Sequence, residues 1–209
     1  MIRVVLCDDH AVVRRGVRDT LMEATDIRVV GEADSYPMLR EVLRREKPDV
    51  LLLDVDLPGR SGLEILAVLQ EEGNPVRTVM VSMYPEDQYA IRCLRAGAMG
   101  YLNKGGDPQA LIAAVRTVAQ GRKYITPEIA ELLANHLQAP ESGELHDSLS
   151  ERELQTLRLI ASGKKLSQIA EALMISPKTV SVYRARVLEK LGLSNNAELT
   201  VYAIRNKLV

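Results

Sequence analysis

Five polar residues have the types and positions that phosphoryl chemistry needs. Asp8 and Asp9 directly follow a short apolar run, Asp54 follows another, and Ser82 and Lys104 close two more. Carboxylates held together repel one another, and a divalent cation with oxygen ligands relieves that repulsion. A neighbouring ammonium and hydroxyl can stabilise the oxygens of a transferred phosphoryl group. We therefore predict a phosphoryl-transfer site in which Asp54 is the nucleophile and forms an acyl phosphate.

The cation that fits these ligands is Mg²⁺, which binds one or two carboxylates together with waters and phosphate oxygens. We predict that Asp9 and Asp54 bind it directly and that Asp8 acts through water. The backbone carbonyl of Asp56 is a further candidate ligand. Asp54 is assigned as the phosphoacceptor in preference to Asp56 because it alone follows an apolar strand and precedes a Pro-Gly loop.

The elements that position these residues alternate between strand and helix over residues 1–125. The predicted strands are Ile2–Cys7, Ile27–Ala33, Val50–Leu53, Thr78–Val81 and Gly100–Asn103. Five strand–helix pairs predict a doubly wound α/β fold with a five-stranded parallel sheet, covered by helices on both faces. Because such folds bind ligands at the carboxyl ends of their strands, all five polar residues are expected at one edge of the sheet.

The remainder of the sequence predicts a linker and a small all-helical domain. Residues 126–148 carry a helix at Pro127–Leu137 and then a polar stretch without apolar periodicity. Residues 149–209 are predicted to form the second domain. Its helices are expected at Glu151–Ala161, Ser167–Leu173, Pro177–Leu191 and Asn196–Asn206. The pairs Ser150 with Glu153 and Ser176 with Pro177 match helix starts.

The two halves of the chain differ in charge. Residues 1–138 contain 17 Lys and Arg against 20 Asp and Glu, whereas residues 149–209 contain 10 against 5. A basic C-terminal domain behind an acidic one predicts an anionic partner for that domain alone. The helix Pro177–Leu191 follows another helix and a tight turn, which is typical of a helix that enters the major groove of DNA. The candidate DNA-contacting residues are Lys178, Thr179, Ser181, Val182, Tyr183, Arg184, Arg186 and Lys190, which cannot all share one face.

No secretory signal opens the sequence, and no apolar stretch reaches the roughly 18 residues that cross a bilayer. We therefore expect a cytoplasmic protein with no membrane partner. In that compartment thiols stay reduced, so Cys7 and Cys93 are predicted to be small buried side chains.

The spacing of the site residues resembles the receiver domain of two-component response regulators. The matching residues are Asp8-Asp9, Asp54 with Leu57-Pro58-Gly59 and Gly62, Ser82, and Gly100-Tyr101-Leu102 with Lys104. The resemblance covers about residues 1–125 and implies a CheY-like fold with Mg²⁺. It also implies that a sensor histidine kinase phosphorylates Asp54, and that Ser82 and Tyr101 couple phosphorylation to one face of the domain. Gly105 follows Lys104 where many receivers have Pro, so the cis peptide bond common there is not implied.

The C-terminal residues are similar to LuxR-type helix-turn-helix domains. The matching residues are Leu149-Ser150, Arg152-Glu153, Ile169-Ala170, Ser176 to Val180 and Lys190-Leu191-Gly192. The whole chain thus resembles NarL/FixJ-class response regulators, and Ser181 and Tyr183 resemble the GacA/UvrY-like branch. This implies a transcriptional regulator whose DNA binding depends on phosphorylation. The implied partners are the kinase, promoter DNA and a second copy of the chain, with RNA polymerase as a further candidate.

Two other functions are compatible with parts of the sequence. Asp54-Val55-Asp56 matches the D-x-D motif of haloacid-dehalogenase-type phosphohydrolases, but that fold carries the motif on its opening strand and needs further acids downstream. We therefore expect no enzyme activity beyond slow self-dephosphorylation. In a protein-interaction module, the C-terminal helices would only scaffold. Loss of the Lys178, Thr179 and Arg184 side chains would then leave its function intact.

Overall fold

The computed structural model describes residues 1–138 and 145–209. The chain divides into two compact units, Met1–Gln138 and Ala139–Val209. The strands of the first unit are β1 (Ile2–Cys7), β2 (Ile27–Ala33), β3 (Val50–Asp54), β4 (Arg77–Ser82) and β5 (Gly100–Asn103). Its helices are α1 (Ala11–Met22), α2 (Tyr36–Glu46), α3 (Gly62–Glu71), α4 (Glu86–Arg95), α5 (Pro108–Ala119) and α6 (Pro127–Gln138).

The five strands form one parallel sheet in the order β2-β1-β3-β4-β5, which confirms the predicted doubly wound fold. The central strand β3 is buried along its whole length. A strand covered on both faces needs apolar side chains at consecutive positions, and β3 supplies them as Val-Leu-Leu-Leu before Asp54. On one face, Leu52 and Val81 pack in a common core with Val115 and Val118 of α5. Cys7 and Cys93 are both buried.

Helix α6 belongs to the first compact unit, although the sequence placed it with the linker in residues 126–148. It packs against α4, and the side chain of Ile129 is fully buried. The hydroxyl of Thr126 caps its first turn by accepting from the backbone N–H of Ile129, at 3.2 Å. The rest of the predicted linker includes residues 139–144, which lie outside the described residues, and Leu145–Ser148, which forms a short 3-10 helix.

The second unit contains the helices α7 (Glu151–Ala161), α8 (Leu166–Ala172), α9 (Pro177–Leu191) and α10 (Asn196–Arg205). Both predicted helix starts are present. Ser150 and Glu153 form a reciprocal capping box, and the Ser176 hydroxyl accepts from the Thr179 N–H at 3.1 Å. Gly192 ends α9 in a left-handed conformation, with φ of 65°. In the described part of the chain, no helix combines the length and the apolar character needed to cross a membrane.

Two glycines give opposite predictions for substitution by Ala. A β-carbon added at Gly62 would lie 1.9 Å from the backbone oxygen of Asp54, whereas one added at Gly16 would meet no atom within 4 Å. We expect Gly62→Ala to lower the free energy of unfolding by about 1–3 kcal/mol or more, because α3 must move away from β3. Gly16→Ala should raise it by about 0.5–1 kcal/mol, because Ala is the better helix former in α1. Urea titrations of both variants measure these changes, and equal effects would contradict the close approach at Gly62.

Candidate phosphoacceptor site and DNA-binding helix

The strand register brings the predicted site residues to one edge of the sheet. Cys7 of β1 pairs with Leu53 of β3, so the residues that follow them, Asp8 and Asp54, are neighbours. Asp54 in turn pairs with Val81, one residue before Ser82. This edge is the carboxyl end of all the strands, as the sequence predicted, because parallel strands end on the same side.

Lys104 ties the acidic residues together. Its ammonium nitrogen lies 2.7 Å from Asp8 Oδ2 and 2.7 Å from Asp54 Oδ2. The side chains of Lys104 and Asp54 are only 4% and 3% exposed, so these contacts are shielded from water. The backbone N–H of Lys104 donates to the carbonyl of Ser82 at 2.8 Å, which prolongs the β4–β5 pairing and fixes where the lysine leaves the sheet.

Burial dominates the electrostatics of Asp54. Desolvation raises the pKa of its carboxyl group from 3.8 to about 7, and the negative charge of Asp8 acts in the same direction. The ammonium of Lys104 opposes both, since it stabilises the ionised carboxylate. Burial also lowers the pKa of Lys104, but its two carboxylate partners outweigh this, and the net shift is upward. The site therefore holds a buried carboxylate against a cation that remains charged.

The acidic residues also have the spacing of a metal site. Asp8, Asp9, His10 and Asp54 each offer one ligand atom, and these atoms all lie within 4.8 Å of one another. Three carboxylates are hard oxygen ligands, so the donor set fits a divalent cation such as Mg²⁺. The backbone N–H of Asp56 donates to Asp54 Oδ1 at 3.3 Å and fixes the loop that follows β3. His10 is an addition that the sequence reasoning missed, although it directly follows the two acids.

Arg14 of α1 is a second residue that the sequence reasoning missed. Its guanidinium donates to the backbone carbonyl of Asp8 and, at 3.0 Å, to Glu32 Oε2 at the end of β2. Glu32 is held in turn by Arg18, at 3.1 Å. These contacts fasten the turn between β1 and α1. The available signal was the position of Arg14 one helical turn after His10.

The two residues assigned to the switch lie on the two strands that follow β3 in the sheet, Ser82 at the end of β4 and Tyr101 in β5. Ser82 is buried, and its hydroxyl oxygen accepts from the backbone N–H of Tyr84 at 3.2 Å. Tyr101 is completely buried and donates its hydroxyl proton to the carbonyl of Tyr84 at 2.7 Å. The structure therefore has Tyr101 in the inward position, and both side chains contact the same stretch of the loop after β4.

Helix α9 divides the candidate DNA-contacting residues between two faces. Its inner face is formed by Val180, Val187 and Leu191, all buried. The exposed residues among the candidates are Lys178, Ser181, Val182, Arg186 and Lys190. The first four lie about 100° to 160° around the helix axis from the buried residues. These four residues are therefore available together on the side of the helix away from the core.

Among the other four candidates, Thr179, Arg184 and Lys190 have side-chain hydrogen bonds within their own domain. Of the first four, Ser181 has one too, since its hydroxyl donates to the carbonyl of Pro177 at 3.0 Å. The Thr179 hydroxyl lies 2.8 Å from that of Ser176 in the cap, and Arg184 donates through Nε to Asn196 of α10. Tyr183 is half-buried. Lys190 donates to Glu153 Oε2 at 2.6 Å and to the carbonyl of Ser148 at 3.0 Å. Of these four, Lys190 is the one whose charge is most clearly paired inside the domain.

Family comparisons agree with both parts of this arrangement. Residues 4–116 match the response regulator receiver domain, and residues 147–203 match the bacterial regulatory proteins of the luxR family. The response regulator GacA of Pseudomonas aeruginosa is 39% identical over 210 positions, which cover 100% of this chain and 98% of GacA. The response regulator UvrY of Escherichia coli K12 is 40% identical over 209 positions, which cover 100% of this chain and 96% of UvrY.

Solved structures of similar sequence extend the comparison. RcsB from Salmonella enterica serovar Typhimurium, bound to promoter rprA in the presence of the phosphomimetic BeF3−, has a TM-score of 0.65 at 25% identity, covering 96% of this chain and 97% of RcsB. The response regulator ChrA of a heme-sensing two-component system has a TM-score of 0.54 at 32% identity, covering 100% and 98%. The chain therefore belongs to the two-component response regulators of the NarL/FixJ class, in which a receiver domain is joined to a LuxR-type DNA-binding domain, and it is a transcriptional regulator.

Proposed function

We propose that Asp54 accepts a phosphoryl group from a sensor histidine kinase and that this modification controls DNA binding by α9. The observation that carries the proposal is the placement of the Lys104 ammonium 2.7 Å from the carboxylates of both Asp8 and Asp54. An ammonium so held supplies fixed positive charge where the oxygens of an incoming phosphoryl group would collect.

The transfer follows from this geometry. A carboxylate oxygen of Asp54 attacks the phosphorus of a phosphohistidine, the bond between nitrogen and phosphorus breaks, and the electron pair leaves with the imidazole. Asp8, Asp9, Asp54 and the backbone carbonyl of Asp56 would hold Mg²⁺, which supplies further positive charge for the phosphoryl oxygens. Lys104 stays charged and keeps its side chain on the acceptor side.

The proposed signal runs through the loop after β4. A phosphoryl group adds negative charge and hydrogen-bond acceptors beside Ser82, whose hydroxyl could donate to it. That hydroxyl contacts the N–H of Tyr84, and the carbonyl of Tyr84 holds Tyr101. Moving Ser82 therefore changes the support of Tyr101, which is the type of two-state packing change that a covalent switch can bias.

The output we propose is sequence-selective binding to promoter DNA as a homodimer. Val201 and Ile204 of α10 are 47% and 60% exposed, and exposed apolar side chains one helical turn apart suit a contact between two copies. A two-fold pair of α9 helices would read two half-sites. RNA polymerase is a further candidate partner. Because promoter DNA is the target, the proposal places the protein in the cytoplasm.

The same proposal assigns no enzymatic turnover of an outside substrate. The acyl phosphate on Asp54 carries the signal until water hydrolyses it slowly. The backbone N–H of Asp56, the residue that the phosphohydrolase alternative would use as acid and base, donates to Asp54 Oδ1 at 3.3 Å. The expected activity is thus one phosphoryl group per chain and slow self-dephosphorylation.

Lys178 and Lys190 should differ in what their loss affects. Lys178→Ala removes an exposed charge, so we expect weaker DNA binding. The plot of log affinity against log salt should become less steep, with the magnitude of its slope smaller by about 1. Lys190→Ala removes the contacts to Glu153 and Ser148, so it should lower the unfolding free energy of the C-terminal unit by about 0.5–1.5 kcal/mol. DNA titrations at several salt concentrations and urea titrations of both variants separate the two effects. The assignment fails if Lys178→Ala leaves the salt slope unchanged.

The test of the whole proposal is a selection on a pool of random DNA duplexes, followed by affinity titration with and without a small phosphodonor and Mg²⁺. We expect tighter, sequence-selective binding and a shift to dimer by the wild type only in the presence of the donor. Selective binding that changes neither with the donor nor in Asp54→Asn would support the DNA-binding role and contradict the phosphorylation switch. No selective binding in any state would favour the protein-interaction module.

A further inference from the structure

Helix α6 is held on α4 near both of its ends. Just before α6 begins, the Thr126 hydroxyl donates to Glu86 Oε2 in the first turn of α4, at 2.9 Å. Near the end of α6, His136 contacts the guanidinium of Arg95 in the last turn of α4. Between these two contacts the side chain of Ile129 is fully buried. Because α6 is the last helix of the first unit, the chain leaves that unit through it toward the second.

Charge repulsion opposes this docking of α6. A cleft of about 410 Å³ lies between the start of α4 and α6, and four of the residues that line it are acidic, namely Glu86, Asp87, Glu128 and Glu131. Like charges that face one another destabilise the arrangement that brings them together, and dissolved salt screens them only in part. The docking of α6 is therefore a balance between a few anchoring contacts and this repulsion, so the loss of one anchor can shift it.

The anchor at Glu86 is joined stiffly to the loop that carries the switch contacts. The Tyr84 carbonyl accepts from the Tyr101 hydroxyl at 2.7 Å and from Asn103 Nδ2 at 3.1 Å. Pro85 is the next residue, and its ring fixes the backbone angle φ, here at −65°. A displacement of the Tyr84 peptide therefore reaches Glu86 across a single residue that has little freedom to absorb it.

We propose that the Thr126–Glu86 hydrogen bond is a latch that holds α6 on α4, and that phosphorylation of Asp54 opens it. The Ser82 hydroxyl now accepts from the N–H of Tyr84, so a hydroxyl that turns to the phosphoryl group withdraws one support of that peptide. The segment from Tyr84 to Glu86 then shifts, the latch opens, and repulsion across the cleft drives α6 away. The inference rests on the proposed function, because phosphorylation is its trigger, and it assigns the step from the loop after β4 to the linker.

The latch is tested by hydrogen exchange of α6 in the full chain, measured by mass spectrometry on peptides that cover residues 127–138. Without a phosphodonor, α6 should exchange about fivefold faster or more in Glu86→Ala than in the wild type, because the variant lacks the acceptor of the Thr126 hydroxyl. Asp87→Ala is the matched control, since Asp87 is an acid of the same helical turn and of the same cleft. It removes repulsion alone, so its α6 should exchange no faster than that of the wild type. Faster exchange in both variants, or in neither, would overturn the latch.

The trigger is tested by repeating the measurement with phosphoramidate and Mg²⁺, while the intact mass records how much phosphoryl group each protein carries. At full incorporation, α6 of the wild type should exchange about threefold faster or more than without the donor. In Glu86→Ala the donor should add less than about twofold, because the latch is already absent.

Two results separate this inference from the proposed function. A fully phosphorylated wild type whose α6 exchange is unchanged would overturn the trigger and leave the proposed function standing. A wild type that takes up no phosphoryl group would contradict the proposed function, and the trigger with it, while the donor-free comparison of Glu86→Ala with Asp87→Ala would still decide the latch.

Discussion

Asp54→Asn should incorporate no detectable phosphoryl group, with a rate at least about 100-fold below that of the wild type. Asn has the shape of Asp but lacks the anionic oxygen that attacks phosphorus. The measurement is the intact mass of the protein after incubation with phosphoramidate and Mg²⁺. Phosphoramidate carries a nitrogen–phosphorus bond like that of phosphohistidine, and its cleavage releases ammonia as the acyl phosphate forms.

Asp56→Asn is the matched control for this experiment. It changes the neighbouring acid of the same loop and leaves the Asp54 carboxylate beside Lys104, so its incorporation should stay within about threefold of the wild type. Hydroxylamine should remove the phosphoryl group from the wild type, because it cleaves acyl phosphates and leaves serine phosphates such as one on Ser82 intact. Incorporation that survives Asp54→Asn, or that resists hydroxylamine, would show that another residue is the acceptor.

The placement of the acceptor could be predicted because it depends on rules that act along the chain. Apolar runs of strand length followed by Asp or Lys specify a buried parallel sheet with charged residues at its carboxyl edge. The structure places Asp8, Asp54 and Lys104 together for that reason. The helices of the second unit were predicted for a similar reason, since Ser150 and Ser176 are typical N-cap residues and mark where two of these helices begin.

The parts that escaped prediction depend on side-chain direction rather than on position along the chain. His10 turns back toward the acids that precede it, and Arg14 reaches the carbonyl of Asp8 across the first turn of α1. Lys190 points toward the start of α7, so a basic residue of α9 stabilises its own domain. Charge and periodicity in the sequence indicate that such residues are polar, but they do not specify which neighbouring residue each side chain contacts.

The burial of Asp54 also lowers the stability of the folded protein when no cation is bound. With a pKa of about 7 in the folded chain against 3.8 as the ordinary value, Asp54 binds its proton more tightly when folded than when unfolded. Below about pH 4 both states are protonated and the carboxyl group has no effect. As the pH rises toward 7 the unfolded state alone loses its proton, so the folded state loses stability, and the loss is complete above pH 7.

This cost predicts a pH-dependent difference between the wild type and Asp54→Asn without divalent ions. Between pH 5 and pH 8, the unfolding free energy of the wild type should fall by about 2–3 kcal/mol relative to the variant, which has no carboxyl group to ionise. To measure this difference, each protein is equilibrated in urea at a series of pH values. A brief pulse of thiol reagent, always applied at one common pH, then labels the unfolded fraction. Cys7 and Cys93 are the chain's two cysteines, and both are buried in the N-terminal unit, so their labelling reports unfolding of that unit alone.

Saturating Mg²⁺ should reverse the sign of this difference. A bound cation stabilises the ionised carboxylate, so the pKa of Asp54 falls and the wild type gains stability as the pH rises. Asp54→Asn loses a carboxylate ligand and should gain less stability from the ion at every pH.

Parallel pH profiles for the two proteins in the ion-free titration would mean that Asp54 is ionised as readily in the folded chain as in the unfolded chain. In that case the Lys104 ammonium would fully offset the burial, and the acceptor would be ready for attack at neutral pH without any cation.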